Sequence, residues 1–214
     1  MEYVVFFMII FIVIIFLKAK NQVDQINRLN RILFEDKQPG RYVREFDKLL
    51  EKKKAGRNPA VNILQKTTGL FYDGRFDEAV ETLEDIAESV PGNWEPIYLQ
   101  NLILSLLFKG ETEEALKKLE ETKQVMEKYK DNSYYTEMVE IVYAVSDYFR
   151  GERKKEYFAE LSQSGANDYR KSFGYYFLGK INKQEDNISE AEANFIKAAE
   201  CGRGSFIENL ARAE

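Results

Sequence analysis

One hexapeptide pattern recurs along this chain and limits what it can fold into. Gly74-Arg75-Phe76-Asp77-Glu78-Ala79 returns 36 residues later as Gly110-Glu111-Thr112-Glu113-Glu114-Ala115, and again after a further 76 as Asp186-Asn187-Ile188-Ser189-Glu190-Ala191. The wider gap holds two units of about 38 residues, and the unit centred on Gly151 is degenerate. A unit of this length cannot bury its apolar face alone, so successive units must stack. Each copy lies between two amphipathic runs of helical period. No stretch shows the two-residue alternation rich in β-branched residues that marks a strand. The sequence predicts an all-α fold of antiparallel helix pairs joined by short turns. Asn58-Pro59 starts one helix, Asn132 or Ser133 caps another, and Ser205 with Glu208 forms a capping box for a short last helix over 206–213.

These residues resemble the tetratricopeptide repeat family, in its membrane-anchored bacterial form. The last unit carries the fullest match. Tyr175, Leu178 and Gly179 are similar to the family's first-helix signature, and Ala191, Phe195 and Ala198 to its small–aromatic–small second helix. In the first unit Phe76, Ala79, Leu83 and Pro91 fill matching positions, with Thr67 at the small first-helix site. The second offers Leu102, Leu106, Ala115 and Leu119, with Ile103 at the small site and Glu127 at the proline site. The third offers Tyr143, Ala144 and Gly151, with Glu156 where a small residue is expected. The resemblance covers 58–202 and implies four units, 58–93, 94–131, 132–167 and 168–202, with 203–214 as a capping helix. It also implies an α-solenoid whose first helices line a concave groove.

The other commanding feature is Tyr3 to Leu17, fifteen apolar or aromatic residues without interruption. As a helix this run rises about 22 Å, against about 30 Å of bilayer hydrocarbon. Thinning of the bilayer and snorkelling of Lys18 and Lys20 cover the difference. A cleaved signal would start with basic residues and end in small ones. Here Glu2 precedes the run and no small-residue site follows it. The reading is a single-pass transmembrane anchor over 1–17. Lys18, Lys20, Arg28, Arg31, Lys37, Arg41 and Arg44 all follow the run, which places the N-terminus outside and the repeat domain in the cytoplasm, at the cell membrane.

Residues 18–57 read as a basic helical neck with twelve basic and six acidic residues. Such a stretch suits an anionic lipid surface or a solvated linker equally well. Val23, Ile26, Asn30 and Leu33 have the spacing of a coiled-coil seam, so 18–34 is a candidate contact for homo-oligomers. A second helix follows, with Tyr42, Val43, Phe46, Leu49 and Leu50 on one face.

The chain has 214 residues, a net charge of −5, no histidine and one cysteine. Lack of histidine removes serine–histidine and cysteine–histidine catalysis and histidine-containing zinc sites. Cys201 reads as a small buried thiol at a helix end. There is no glycine-rich phosphate loop and no metal-ligand cluster, so no cofactor and no enzymatic activity are expected. The part after the neck is acidic, which argues against nucleic acid.

The resemblance points to binding a protein or peptide. Its groove-lining positions fall on Leu64, Thr68, Phe71 and Tyr72 in the first unit, on Gln100, Leu104 and Phe108 in the second, and on Tyr176, Lys180 and Lys183 in the last. That describes an apolar, aromatic groove with two lysines at one end, in a membrane-anchored interaction scaffold. The alternative is an extracytoplasmic, membrane-anchored chaperone-like module for secreted or envelope proteins, which the charge distribution disfavours.

Overall fold

A computed structural model of the chain describes residue 20, residues 24–52 and residues 59–214. Among these the fold is all-α, with twelve helices and no strand. The apolar run over 3–17 and the Asn58 cap lie outside the described residues. Among the described residues no helix is long and apolar enough to cross a membrane. Helix α1 covers 24–30 and closes in a π-helical turn, Arg31–Glu35. There follow α2 (Pro39–Lys52), α3 (Pro59–Tyr72), α4 (Phe76–Ile86), α5 (Glu95–Lys109), α6 (Thr112–Glu121) and α7 (Lys123–Lys130). The remainder are α8 (Thr136–Phe149), α9 (Lys155–Ser164), α10 (Asp168–Gln184), α11 (Ile188–Cys201) and α12 (Phe206–Ala213).

Four helix pairs, α3/α4, α5/α6, α8/α9 and α10/α11, close with the same turn, an arrangement consistent with an α-solenoid. Gly74, Gly110, Gly151 and Asp186 each adopt positive φ, at 76°, 98°, 92° and 59°. In each turn the following N–H reaches back 2.9 Å to a carbonyl five residues earlier: Arg75 to Leu70, Glu111 to Leu106, Glu152 to Asp147, Asn187 to Asn182. This satisfies a carbonyl that the helix end would otherwise leave unpaired. Glycine takes the left-handed conformation without cost, and aspartate is among the few residues that tolerate it. The alanines of the recurring pattern, Ala79, Ala115 and Ala191, are all buried.

The third pair departs from this register, for a visible reason. In the other pairs the N-cap residue of the second helix, with φ near −90°, directly follows the positive-φ residue; in the third it is Lys154, after Glu152 and Arg153. Two extra turn residues shift the helix. Phe158, and not Glu156, takes the place of the alanines; Phe158 is fully buried and Glu156 is exposed. A ring there cannot nest against α8 as an alanine would, and α9 packs on α10 instead. Phe158 stacks on Phe177 with centroids 4.8 Å apart. Gly174 permits this approach: a Cβ at that position would lie 2.4 Å from the Ser162 nitrogen and 2.7 Å from the Phe158 carbonyl oxygen.

The segment before α3 belongs to the same core. Leu29, Ile32 and Leu33 of α1 are buried, as are Tyr42, Val43, Phe46 and Leu49 of α2. Gly69 of α3 makes room for the Tyr42 ring, which would stand 2.3 Å from a Cβ there. The expected seam is therefore turned differently. Leu33 faces the chain's own core, Ile26 is half-buried against it, and Asn30 points to solvent. Val23 lies outside the described residues.

The α1–α2 connection also meets the far end of the chain. Lys37 Nζ donates to the Cys201 carbonyl at 3.1 Å and pairs with Asp168 Oδ2 at 2.7 Å. Gly204, at φ 80°, presses against Lys37: a Cβ there would lie 2.2 Å from the Lys37 carbonyl oxygen. Gly204→Ala should therefore cost about 2–3 kcal/mol, combining left-handed strain with a clash against backbone. Thermal unfolding of the full chain in detergent checks this; an unchanged Tm would mean the closure is absent. The capping box expected at α12 does not form, since Glu208 reaches the N–H one residue before the cap. Glu208 accepts from the Gly204 N–H at 2.7 Å, while Ser205 Oγ donates to the Gly202 carbonyl at 2.6 Å instead of capping the helix.

Candidate functional site

The inner faces of α3, α5 and α10 meet through aromatic rings. Phe71 stacks on Phe173 with centroids 6.1 Å apart, and Tyr72 on Tyr169 at 4.5 Å. Phe108 sets its edge to Phe173 at 5.8 Å. These rings are long enough for the first and last helix pairs to touch across the concave face. Phe206, the first residue of α12, fills the centre, 5.1 Å from Phe71, 4.9 Å from Phe76 and 4.8 Å from Phe108. Offset and edge-to-face ring pairs each add about 0.5–1.5 kcal/mol beyond the area they bury.

This packing corrects the expected groove. Leu64 and Leu104 are fully buried, and Phe71, Tyr72, Gln100 and Tyr176 are buried. Thr68 and Phe108 are half-buried, Lys180 is half-buried and Lys183 is exposed. Leu64 and Leu104 are sealed in the core, whereas Thr68, Phe71, Tyr72 and Gln100 only edge a small hollow, because aromatic side chains and α12 fill the middle of the concave face. Gln100 serves the chain's own structure: its Oε1 accepts from Arg170 Nη2 at 3.0 Å, and Arg170 Nε stands 3.7 Å from Glu137. Thr68 Oγ1 accepts from Asn101 Nδ2 at 2.9 Å.

The two lysines converge on one carboxylate. Lys180 Nζ lies 2.5 Å from Glu214 Oε1 and Lys183 Nζ 2.9 Å from Oε2. Burial raises the Glu214 pKa, but the lysine hydrogen bonds outweigh it and hold the group below the usual glutamate value. The pairing thus contributes stability above the unfolded pKa of about 4.3 and loses it as pH falls through the lower folded value. Hydrogen-exchange protection of the α12 amides, taken relative to the unstructured rate at each pH, should fall on acidification below the unfolded value of about 4.3 while that of α5 holds. Equal loss of protection in both helices would show that the pairing does not hold α12.

Two hollows remain on this face. The larger, about 660 Å³, is walled by Phe76, Phe108, Tyr148, Phe149, Tyr176 and Phe177, with Lys180 on its rim and Phe206 and Leu210 of α12 on one side. Tyr148 Oη accepts from Gln184 Nε2 at 3.0 Å, and burial pushes the Tyr148 and Tyr176 phenols above their ordinary pKa. The smaller, about 220 Å³, has a polar wall of Gln65, Thr68, Gln100, Asn101 and Arg170 beside Trp94 and Tyr134. The larger hollow can take apolar or aromatic groups; its rim lysine is already paired.

Phe206, Tyr148 and Phe149 were not foreseen from the sequence. Phe149 had a usable signal. It precedes Gly151 by the same interval as Phe108 precedes Gly110 and Tyr72 precedes Gly74. Phe206 had none, because a residue opening a capping helix has no counterpart in the repeats.

Burial raises the Cys201 pKa, which keeps the thiol protonated and poorly nucleophilic. Among the described residues no group of three or more histidine, cysteine, aspartate or glutamate side chains is placed to hold a metal ion. Comparison with known protein families, with curated proteins and with solved structures finds no match to this chain.

Proposed function

We propose that this chain is a membrane-anchored interaction scaffold. Its 3–17 segment spans the bilayer, and its tetratricopeptide-like solenoid stands at the cytoplasmic face and receives an apolar segment of a partner protein. The observation that carries this reading is the aromatic-walled hollow of about 660 Å³ on the concave side of the helix pairs. Half-exposed rings gathered in one concavity are a costly feature for a chain that binds nothing, and apolar pockets with few polar groups are the usual seat of ligands. The basic residues after the apolar run support the cytoplasmic side, and the short hydrophobic length supports an anchor that only tethers. The half-buried, protonated Cys201 and the want of histidine support binding over catalysis.

Crosslinking followed by purification from membranes tests it, with the full chain compared against a deletion of the first seventeen residues and against Phe149→Asp. The full chain should retain a discrete partner. The deletion should lose it from the membrane fraction, and Phe149→Asp should reduce recovery at least tenfold while keeping helical circular dichroism. Recovery indifferent to Phe149→Asp removes the hollow as the binding site. Digestion of the solenoid by protease added outside intact cells would reverse the proposed orientation.

A further inference from the structure

Helix α12 lies along α11 with Ile207 and Ala211 buried, and its two ends also engage the concave face. Its first residue drives a ring into the middle of the concave face, between Phe71, Phe76 and Phe108. Its last described carboxylate, on Glu214, is shared by Lys180 and Lys183. Between them Leu210 forms part of the wall of the large hollow, and Arg212 is turned outward against Glu208. An eight-residue helix is too short to persist alone in water, so α12 owes its form to the face it lies on. It hangs from the Gly202–Ser205 turn, which rests on Lys37.

We propose that α12 is a resident plug that mimics the natural ligand. The ligand is then a helical segment of a partner protein with an aromatic residue at its start and an acidic residue about two turns later, which displaces α12 and takes its place. This rests on the scaffold reading above and makes its ligand specific. The chemistry of the site dictates the pattern. The aromatic cluster demands a ring, and the lysine pair at the other end demands a carboxylate. The apolar hollow beside α12 accepts the larger side chains of a longer segment. A tethered plug acts at an effective concentration in the millimolar range, so it masks the site against any ligand of lower affinity until it is loosened.

The test uses the full chain in lipid nanodiscs and a fluorescein-labelled peptide of residues 205–214 as the probe. Phe206→Ala loosens the plug at its ring; Glu214→Lys loosens it at the rim without emptying the aromatic core. Fluorescence anisotropy should show at least tenfold tighter peptide binding to either variant than to the parent chain. Lys180→Met with Lys183→Met in the Phe206→Ala background should weaken it again at least fivefold, as should a peptide carrying Phe206→Ala. Circular dichroism reports folding, and should Phe206→Ala unfold, Glu214→Lys decides. Peptide binding equal in parent and folded variants, or absent from both, overturns the proposal. Partner recovery from membranes separates the two readings: a partner recovered equally by the parent and by Glu214→Lys leaves the scaffold and removes the plug. Peptide binding unmasked by the variants with no partner recovered leaves the plug and removes the scaffold.

Discussion

Gly174→Ala is expected to destabilise the protein by about 3 kcal/mol, although alanine is intrinsically the better helix former by about 1 kcal/mol. The sign turns on one contact. Gly174 lies inside α10, where α9 approaches backbone to backbone, and a Cβ would stand 2.4 Å from the Ser162 nitrogen. Neither neighbour is the tip of a flexible side chain, so α9 would have to move as a body. That movement would drag Phe158 off Phe177 and open the centre of the last two pairs. Urea unfolding followed by circular dichroism should give a lower midpoint at unchanged slope. A stabilised variant would mean that α9 does not pack on α10 as described.

Leu64→Ser separates core from groove even more sharply. Leu64 is fully buried in α3. Loss of its side chain costs about 3 kcal/mol, and a hydroxyl without a partner adds about 1–2 kcal/mol. The sum, about 4–5 kcal/mol, approaches the whole stability of many domains. The variant should be largely unfolded at 37 °C and rich in aggregates. Were Leu64 a ligand contact on an open groove, stability would change by under about 0.5 kcal/mol and only binding would suffer. A folded Leu64→Ser chain with normal Tm would restore the open groove.

The helical architecture was legible because its signals are local. Glycine or aspartate at positive φ, an alanine five residues after it and the amphipathic runs on either side all lie within one unit, and period alone places them. The third unit was harder to read. Two extra residues between Gly151 and Lys154 slid Phe158 into the alanine position, and an alignment anchored on the glycine put Glu156 there. How far the concave face closes is not legible in the sequence for a different reason. Whether Phe71 faces solvent depends on how tightly the units wind, and winding is set by contacts between residues far apart, such as Phe71 with Phe173 and Tyr72 with Tyr169. Those pairings leave no local trace. The same holds for Lys37, whose partners Asp168 and Cys201 lie near the other end of the chain.

Photo-crosslinking from the hollow tests the binding role most directly. A photoreactive amino acid placed at Tyr148, on the hollow's wall, should give one discrete adduct in native membranes, and the same probe at exposed Glu113 should give none. Identical adducts from both positions, or none from Tyr148, would contradict a partner segment seated in that hollow.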